Sequence, residues 1–499
     1  MTAPSAALPD LSGLVKAYDV RGLVPDQLDD RVARALGAAF ADVVVLPGAP
    51  DGPLSARPRV AIGNDMRDSG PGLVAAFAAG VTLRGVDVVT IGLCSTDGLY
   101  HASGTMDVAG AMFTASHNPA RYNGIKLCRP GARPVGEGTG LAEVRELAST
   151  YLRDGVPEVA STDVGEISTR EMVSEYATFL RGLVDLSEIR PLKVVIDAGN
   201  GMAGLTAPAV LGAAVGLPEL PLEVVPLYFE LDGSFPNHEA NPLEPANIVD
   251  LQAAVVEHGA DLGLAFDGDA DRCFVVDELG RAVSPSAITA LVGLREVARE
   301  KAEGRVPTVI HNLITSRAVP DLLTAAGATT VRTRVGHSFI KAEMAEHHAV
   351  FGGEHSAHYY FRDFFFADTG MLAALHVLAA LGTAVDLQGV SVPMSELAEV
   401  YQPYAASGEI NSTVADVPAA RSRVVQAYVT EQGAGPVVVD ELDGLTVSHW
   451  DDQPRWWFNL RASNTEPLLR LNVEAVDEDI MFKVRDDVLA LVRAAETGA

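Results

Sequence analysis

Four short polar stretches carry residue types that could do chemistry. The first is TASHNP at 114–119, set directly after the apolar run VAGAMF. Ser and Asn bond their own backbone and Asn-Pro starts turns, so a plain turn accounts for the composition; the sharper reading gives Ser116 a chemical role. In the second, DLGLAFDGDADRCFVVDELG, Asp267, Asp269 and Asp271 crowd one loop between two apolar runs. Such repulsion calls for a cation, and Mg²⁺ commonly combines a few carboxylates with a phosphate oxygen. A calcium EF-hand would use Glu278 as its twelfth residue, but Arg272 stands where that loop needs Gly and CFVV is strand-like. A solvated acidic turn is the alternative.

The third stretch, GGEHSAHYYF, offers Glu354, Ser356 and His358, able to bond adjacent hydroxyls of a sugar; a hairpin with exposed polar residues would look the same. The fourth, RASNTEPLLR, aligns Arg461, Ser463, Asn464, Thr465 and Arg470. Turn N–H groups, hydroxyls and forked guanidinium cations suit a phosphate, whereas a Ser/Thr-stabilised turn before Pro467 is the simpler reading. Arg21 in AYDVRG, Lys126 in RYNGIKL and His337 in RVGHSFIK are further basic candidates. With a formal net charge of −29, the chain would repel nucleic acid and anionic lipid, so a phosphorylated ligand must meet local cations.

Elements must position these loops. Stretches from Arg59, Leu192 and Pro307 share one plan: a β-branched run, a Gly/Asp/Ser loop, an Ala/Leu-rich helix and a second apolar run. Each reads as a strand–helix–strand unit of a parallel or mixed sheet, and their wide spacing implies three related α/β domains. The last hundred residues instead show closely spaced strands and then a helical period behind an acidic first turn, as in a smaller α+β domain. The expected domains are 1–163, 164–278, 279–392 and 393–499. At 499 residues several cores are needed. No apolar run reaches the length of a membrane span; MLAALHVLAALGTAV, interrupted by His376, reads as a buried helix. The N-terminus lacks the features of a signal peptide. Three scattered cysteines fit reduced structural thiols, so a cytoplasmic enzyme is expected.

Taken together, TASHNP, DGDADR, GEHSAH and RASNTEP, in this order along essentially the whole chain, resemble the loops of the α-D-phosphohexomutase family. The resemblance implies three related α/β domains with mixed sheets and a smaller α+β domain around a central cleft. It implies a phosphoserine at Ser116, with Mg²⁺ held by Ser116, Asp267, Asp269 and Asp271. Arg272 is then suited to the phosphoryl oxygens, Lys126 and His337 to general acid or base work, and Arg21 to a place near the phosphoserine. Glu354, Ser356 and His358 would bind sugar, and Arg461, Ser463, Asn464, Thr465 and Arg470 the phosphate that is not reacting. The implied reaction is a two-step transfer through a hexose 1,6-bisphosphate, which also serves as activator, in a monomer or homodimer acting on small hexose phosphates. The stretch from Gly353 is most similar to bacterial phosphomannomutases, which points to mannose phosphates, with glucose phosphates next and glucosamine phosphates after them.

Three features depart from the family pattern: His355 after the Gly-Glu pair, Ala357 in place of Gly, and Arg317 alone where a substrate-contacting Lys is common. Two rival readings remain. In a haloacid-dehalogenase-type enzyme Asp267 would carry the phosphoryl, although that class continues with Gly-Thr where this chain has Ala270-Asp271. A catalytically silent metal- or sugar-binding protein would bind without turnover.

Overall fold

The computed structural model describes residues 10–48, 57–430, 437–462 and 468–494. They pack as two units, Met1–Val283 with Ser356–Ser395, and Ser284–His355 with Glu396–Ala499.

The first unit holds two mixed sheets. In one, β1 (Val20–Leu23), β2 (Arg59–Asn64), β3 (Asp87–Leu93), β4 (Ala109–Phe113), β5 (Tyr122–Arg129) and β7 (Ile167–Thr169) lie in the order β1-β5-β4-β2-β3-β7, with the short β6 (Arg133–Pro134) on β5. Strands β4, β2, β3 and β7 run parallel, while β5 and β1 are antiparallel to their neighbours. In the other, β8 (Leu192–Asp197), β9 (Leu222–Leu227), β10 (Leu262–Phe266), β11 (Cys273–Asp277) and β12 (Ala282–Val283) follow the order β12-β11-β10-β8-β9. Here β10, β8 and β9 are parallel. The first unit also contains β16 (Tyr359–Phe361), antiparallel to β17 (Ala367–Asp368), and the buried helix Gly370–Thr383 expected from the sequence.

In the second unit β13 (Thr308–Asn312) is flanked by parallel β14 (Thr329–Thr333) and β15 (Phe351–Gly353). The C-terminal sheet is wholly antiparallel, β18 (Ala405–Thr413), β22 (Leu468–Ala475), β21 (Trp456–Ala462), β20 (Leu445–Ser448) and β19 (Val438–Asp440) in that order, packed on helix Glu478–Arg493. Asp477 caps that helix by accepting from the Ile480 N–H.

The three strand–helix–strand units are thus β2–β3, β8–β9 and β13–β14. Each is followed by a third parallel strand (β4, β10 or β15) on the other side of the first. Chain reversal about a central strand leaves the carboxyl ends of the parallel strands as the natural place for ligands. The expected Ser116, Asp267 and Glu354 stretches all leave third strands at that end. Phe113 and Phe266, the last residues of β4 and β10, are almost wholly buried, and Phe113 meets Phe77 edge to face at 5.4 Å. Both polar loops therefore start from rigid apolar anchors.

Candidate active site

Asn64 of β2 pairs with Phe113 of β4, so the loops leaving these two strands run side by side. Ser116 sits in the second of them with a left-handed backbone, φ 51°, sparsely populated for a residue with a side chain. Its N–H donates to Thr114 Oγ1 at 2.9 Å. Its Oγ lies 3.0 Å from Asp267 Oδ2, 3.2 Å from His117 Nδ1 and 3.5 Å from Arg272 Nη2. The metal-type loop can come this close because Gly268 has no side chain: a Cβ there would stand 2.5 Å from the Ser116 carbonyl oxygen.

The three aspartates at 267, 269 and 271 are buried to within 1% of full exclusion. Asp267 accepts from the Arg272 backbone N–H at 3.1 Å and from Arg272 Nε at 2.9 Å. Asp269 Oδ2 accepts from Thr96 Oγ1 at 2.5 Å and from Lys126 Nζ at 2.7 Å. Lys126 also donates to Asp271 Oδ2 at 2.6 Å. Burial pulls the Lys126 ammonium toward deprotonation, but Asp269 and Asp271 outweigh it and hold its pKa well above the ordinary value. Burial pushes Asp267 well up against the pull of Arg272, with Asp271 and Asp269 adding repulsion. For Asp271 the upward push of burial is overcome by Lys126 and His358, leaving it at about 2.

These carboxylates are suited to a hard divalent cation. One oxygen from each lies within 4.8 Å of the others, and the buried Oδ1 atoms of Asp269 and Asp271 accept no hydrogen bond among the described residues. An orphaned buried carboxylate oxygen is expensive unless something else meets it, and oxygen donors of this kind are the ones Mg²⁺ takes.

Around this centre the first unit gathers most of the expected residues. Arg21 donates to Asn118 Oδ1 at 2.5 Å and to Asp19 at 2.6 Å, so it grips the Ser116 loop. His358 Nε2 lies 3.7 Å from Asp271 Oδ1, while its Nδ1 shares a 3.1 Å hydrogen bond with Ser356 Oγ. The backbones of Arg272 and His358 form an antiparallel bridge, which places the end of the GEHSAH stretch against the aspartate loop. His117 accepts from Arg272 Nη2 at 2.6 Å; burial, reinforced by Arg272 and Arg21, brings its pKa to about 3, so the ring is neutral.

Other expected residues belong to the second unit. Glu354 is buried there and accepts from Asn312 Nδ2 at 3.2 Å. His337 opens helix His337–Glu346, half-buried. Arg461 and Arg470 face each other across β21 and β22. Arg461 lies 3.6 Å from both Glu409 and Asp443, and Arg470 lies 3.5 Å from Glu409. Ser463, Asn464 and Thr465 lie outside the described residues. Arg317 starts helix Ala318–Ala325, pairs with Asp321 and stands over Trp450.

Sequence reading passed over Asp65, Arg67 and Thr96. Asp65 and Arg67 form a buried ion pair, Nε to Oδ2 at 3.1 Å, beneath the Ser116 loop. An available signal was Asp-x-Arg directly after an apolar strand, where a central parallel strand opens its carboxyl end. Thr96 has no such local signal, because its partner is distant in the chain.

Four family descriptions match in order. Phosphoglucomutase/phosphomannomutase alpha/beta/alpha domains I, II and III match residues 12–150, 174–280 and 284–404, and the C-terminal domain matches 409–491. A phosphomannomutase of Escherichia coli is 38% identical, over 95% of this chain and 97% of its own. Phosphohexose mutases of Xanthomonas campestris are 39% identical over 94% of this chain and 96% of theirs. The crystal structure of a phosphoglucomutase/phosphomannomutase family protein from Burkholderia thailandensis superposes with TM-score 0.80 at 29% identity, covering 97% of this chain and 98% of that one.

Proposed function

We propose that this chain, which belongs to the phosphoglucomutase/phosphomannomutase family, is a phosphomannomutase that interconverts mannose 6-phosphate and mannose 1-phosphate while carrying a phosphoryl group on Ser116. The observation that carries the reading is the 3.0 Å approach of Ser116 Oγ to Asp267, in a loop whose buried carboxylates keep two oxygens that accept no hydrogen bond among the described residues.

In the first half-reaction the P–O bond at Ser116 breaks and one forms to the free 1- or 6-hydroxyl of the sugar, which loses a proton while Ser116 Oγ gains one. In the second, the P–O bond to the sugar's other oxygen breaks and one re-forms to Ser116 Oγ, with the proton passing back from Ser116 to that sugar oxygen. Lys126 and His337 are the candidates for the general acid and base. Arg272, fixed by Asp267 and already near Ser116 Oγ, suits the phosphoryl oxygens, while Arg21 steadies the loop through Asn118. Asp267, Asp269, Asp271 and Ser116 would hold Mg²⁺, which when bound supplies neutralisation of the phosphoryl charge. Hexose 1,6-bisphosphate primes Ser116 as activator and is also the intermediate.

Because the sugar must present either end, one set of groups has to hold whichever phosphate is idle. Arg461 and Arg470, with Ser463, Asn464 and Thr465, are assigned to it. Glu354, Ser356 and His358 are assigned to the sugar hydroxyls. The thiols of Cys94, Cys128 and Cys273 are buried and outside any disulfide among the described residues, in keeping with a cytoplasmic setting, with the enzyme acting as a monomer or homodimer. No helix among the described residues is long and apolar enough to cross a membrane.

Steady-state turnover of mannose, glucose and glucosamine phosphates with Mg²⁺ and bisphosphate tests the substrate; mannose 1-phosphate as the poorest of the three would overturn that assignment. Intact mass after labelling tests the carrier. The label should vanish in Ser116→Ala and persist in Asp267→Asn, and a labelled Ser116→Ala protein would move the phosphoryl elsewhere.

A further inference from the structure

We infer that Arg67, backed by Asp65, is a positioning residue for phosphoryl transfer: its guanidinium sets the backbone of the Ser116 loop from beneath. A guanidinium has five N–H donors, and here all five are used. Nε donates to Asp65 Oδ2 at 3.1 Å. Nη1 donates to the carbonyls of Pro119 and Tyr122, both at 3.0 Å. Nη2 donates to the carbonyls of Ser116 at 2.8 Å and Asn118 at 2.7 Å. The Arg67 side chain is only 1% exposed and that of Asp65 wholly buried.

Two consequences follow from this seating. The left-handed Ser116 would relax toward commoner backbone angles if its carbonyl were released, carrying Oγ away from Asp267 and Arg272. In a planar trans peptide the N–H points opposite to the C=O. Holding the Ser116 carbonyl on Arg67 therefore turns the His117 N–H the other way, where it meets no described partner and is available to an oxygen of a phosphoryl group on Ser116. The same guanidinium lies 5.2 Å from the ring centroid of Phe235, in the loop after β9. A loop leaving the sheet that supplies the aspartates thus also contacts the residue that sets the serine.

The inference rests on Ser116 as phosphoryl carrier, so wild-type labelling at Ser116 is measured alongside. Arg67→Lys keeps the charge but has three donors on a flexible stem instead of a planar fork. Its kcat should fall about a hundredfold, the scale of a small misplacement of a reacting group, with KM unchanged within about threefold. Asp65→Asn, which keeps the guanidinium but weakens its anchor, should lose about tenfold in kcat with the same split. Circular dichroism and thermal melting report whether each variant folds. A folded Arg67→Lys with wild-type kcat, or with its loss in KM alone, would overturn the inference. So would failure of both variants to fold, which would make the pair a folding element. Absence of label on wild-type Ser116 would instead remove the underlying reading.

Discussion

The centre around Ser116 and the arginine pair of the C-terminal sheet handle charge in opposite ways. In the centre the carboxylates and their cations are mostly withdrawn from water and meet at 2.6–2.9 Å. Such a cluster is costly to assemble and stays put once assembled, which is what a transition state with a fixed charge distribution requires. Arg461 and Arg470 are opposite neighbours on adjacent strands, a repulsive placement. Their described carboxylate contacts are all 3.5–3.6 Å, longer than a charge-assisted hydrogen bond. Among the described residues these long contacts leave the guanidinium donors weakly engaged, as the proposed phosphate-holding role needs. On the proposed function, chemistry would be built tight and recognition that must accept either end of a sugar would be built loose.

Mutations should separate the two regions by which kinetic constant they move. Asp269→Asn is expected to have the largest effect, a kcat loss of about a thousandfold or more, since it removes an electrostatic contact in a dry site. Steady-state kinetics at saturating Mg²⁺ checks this, and a loss confined to KM would break the contrast. Removal of Mg²⁺ by a chelator should stop turnover reversibly, restored by Mg²⁺ titration.

Lys126→Met comes next. It leaves Asp269 and Asp271 without their shared cation, so the melting temperature should drop without Mg²⁺ by the equivalent of about 3 kcal/mol and largely recover when Mg²⁺ is added. Differential scanning calorimetry with and without the ion reads both. Equal destabilisation in the two conditions would mean that the aspartates do not share a cation site.

Arg461→Ala should raise KM for mannose 1-phosphate by roughly 10- to 100-fold with a smaller change in kcat, the scale of one charged hydrogen bond.

The smallest expected effect concerns Asp97, a buried carboxyl that accepts from Tyr176 and Thr369, both at 2.6 Å. Burial raises its pKa from 3.8 to about 6, despite hydrogen bonds from Ser95, Thr369 and Tyr176. The folded state then holds its proton more tightly than the unfolded state. The stability that this contributes is present below the unfolded value and is lost as pH rises through about 6. Relative to Asp97→Asn, the parent should therefore lose on the order of 2 kcal/mol between pH 4 and pH 7. Denaturant midpoints of both proteins across that range test it, and parallel curves would refute it.

The three strand–helix–strand units were legible because β-branched runs, turn residues and Ala/Leu-rich segments each follow local rules. The three aspartates were legible as a type, since carboxylates packed into one loop are unusual in themselves, whereas Ser116, Lys126 and Arg272 stood out only through the resemblance of four ordered motifs. That resemblance set Ser116 beside the aspartates, but the partners of Lys126 were not legible. Lys126 bridges Asp269 and Asp271 from 143 and 145 residues away, and Arg67 reaches the Ser116 loop from 49. His358, expected to touch sugar, also faces Asp271. Local composition determined what each loop offers, because backbone propensity and side-chain chemistry act over a few residues. Only the packing of sheets decided which loops share a buried space, and with it the pKa shifts, the orphaned oxygens and the saturated guanidinium, since those depend on long-range neighbours and on the exclusion of water.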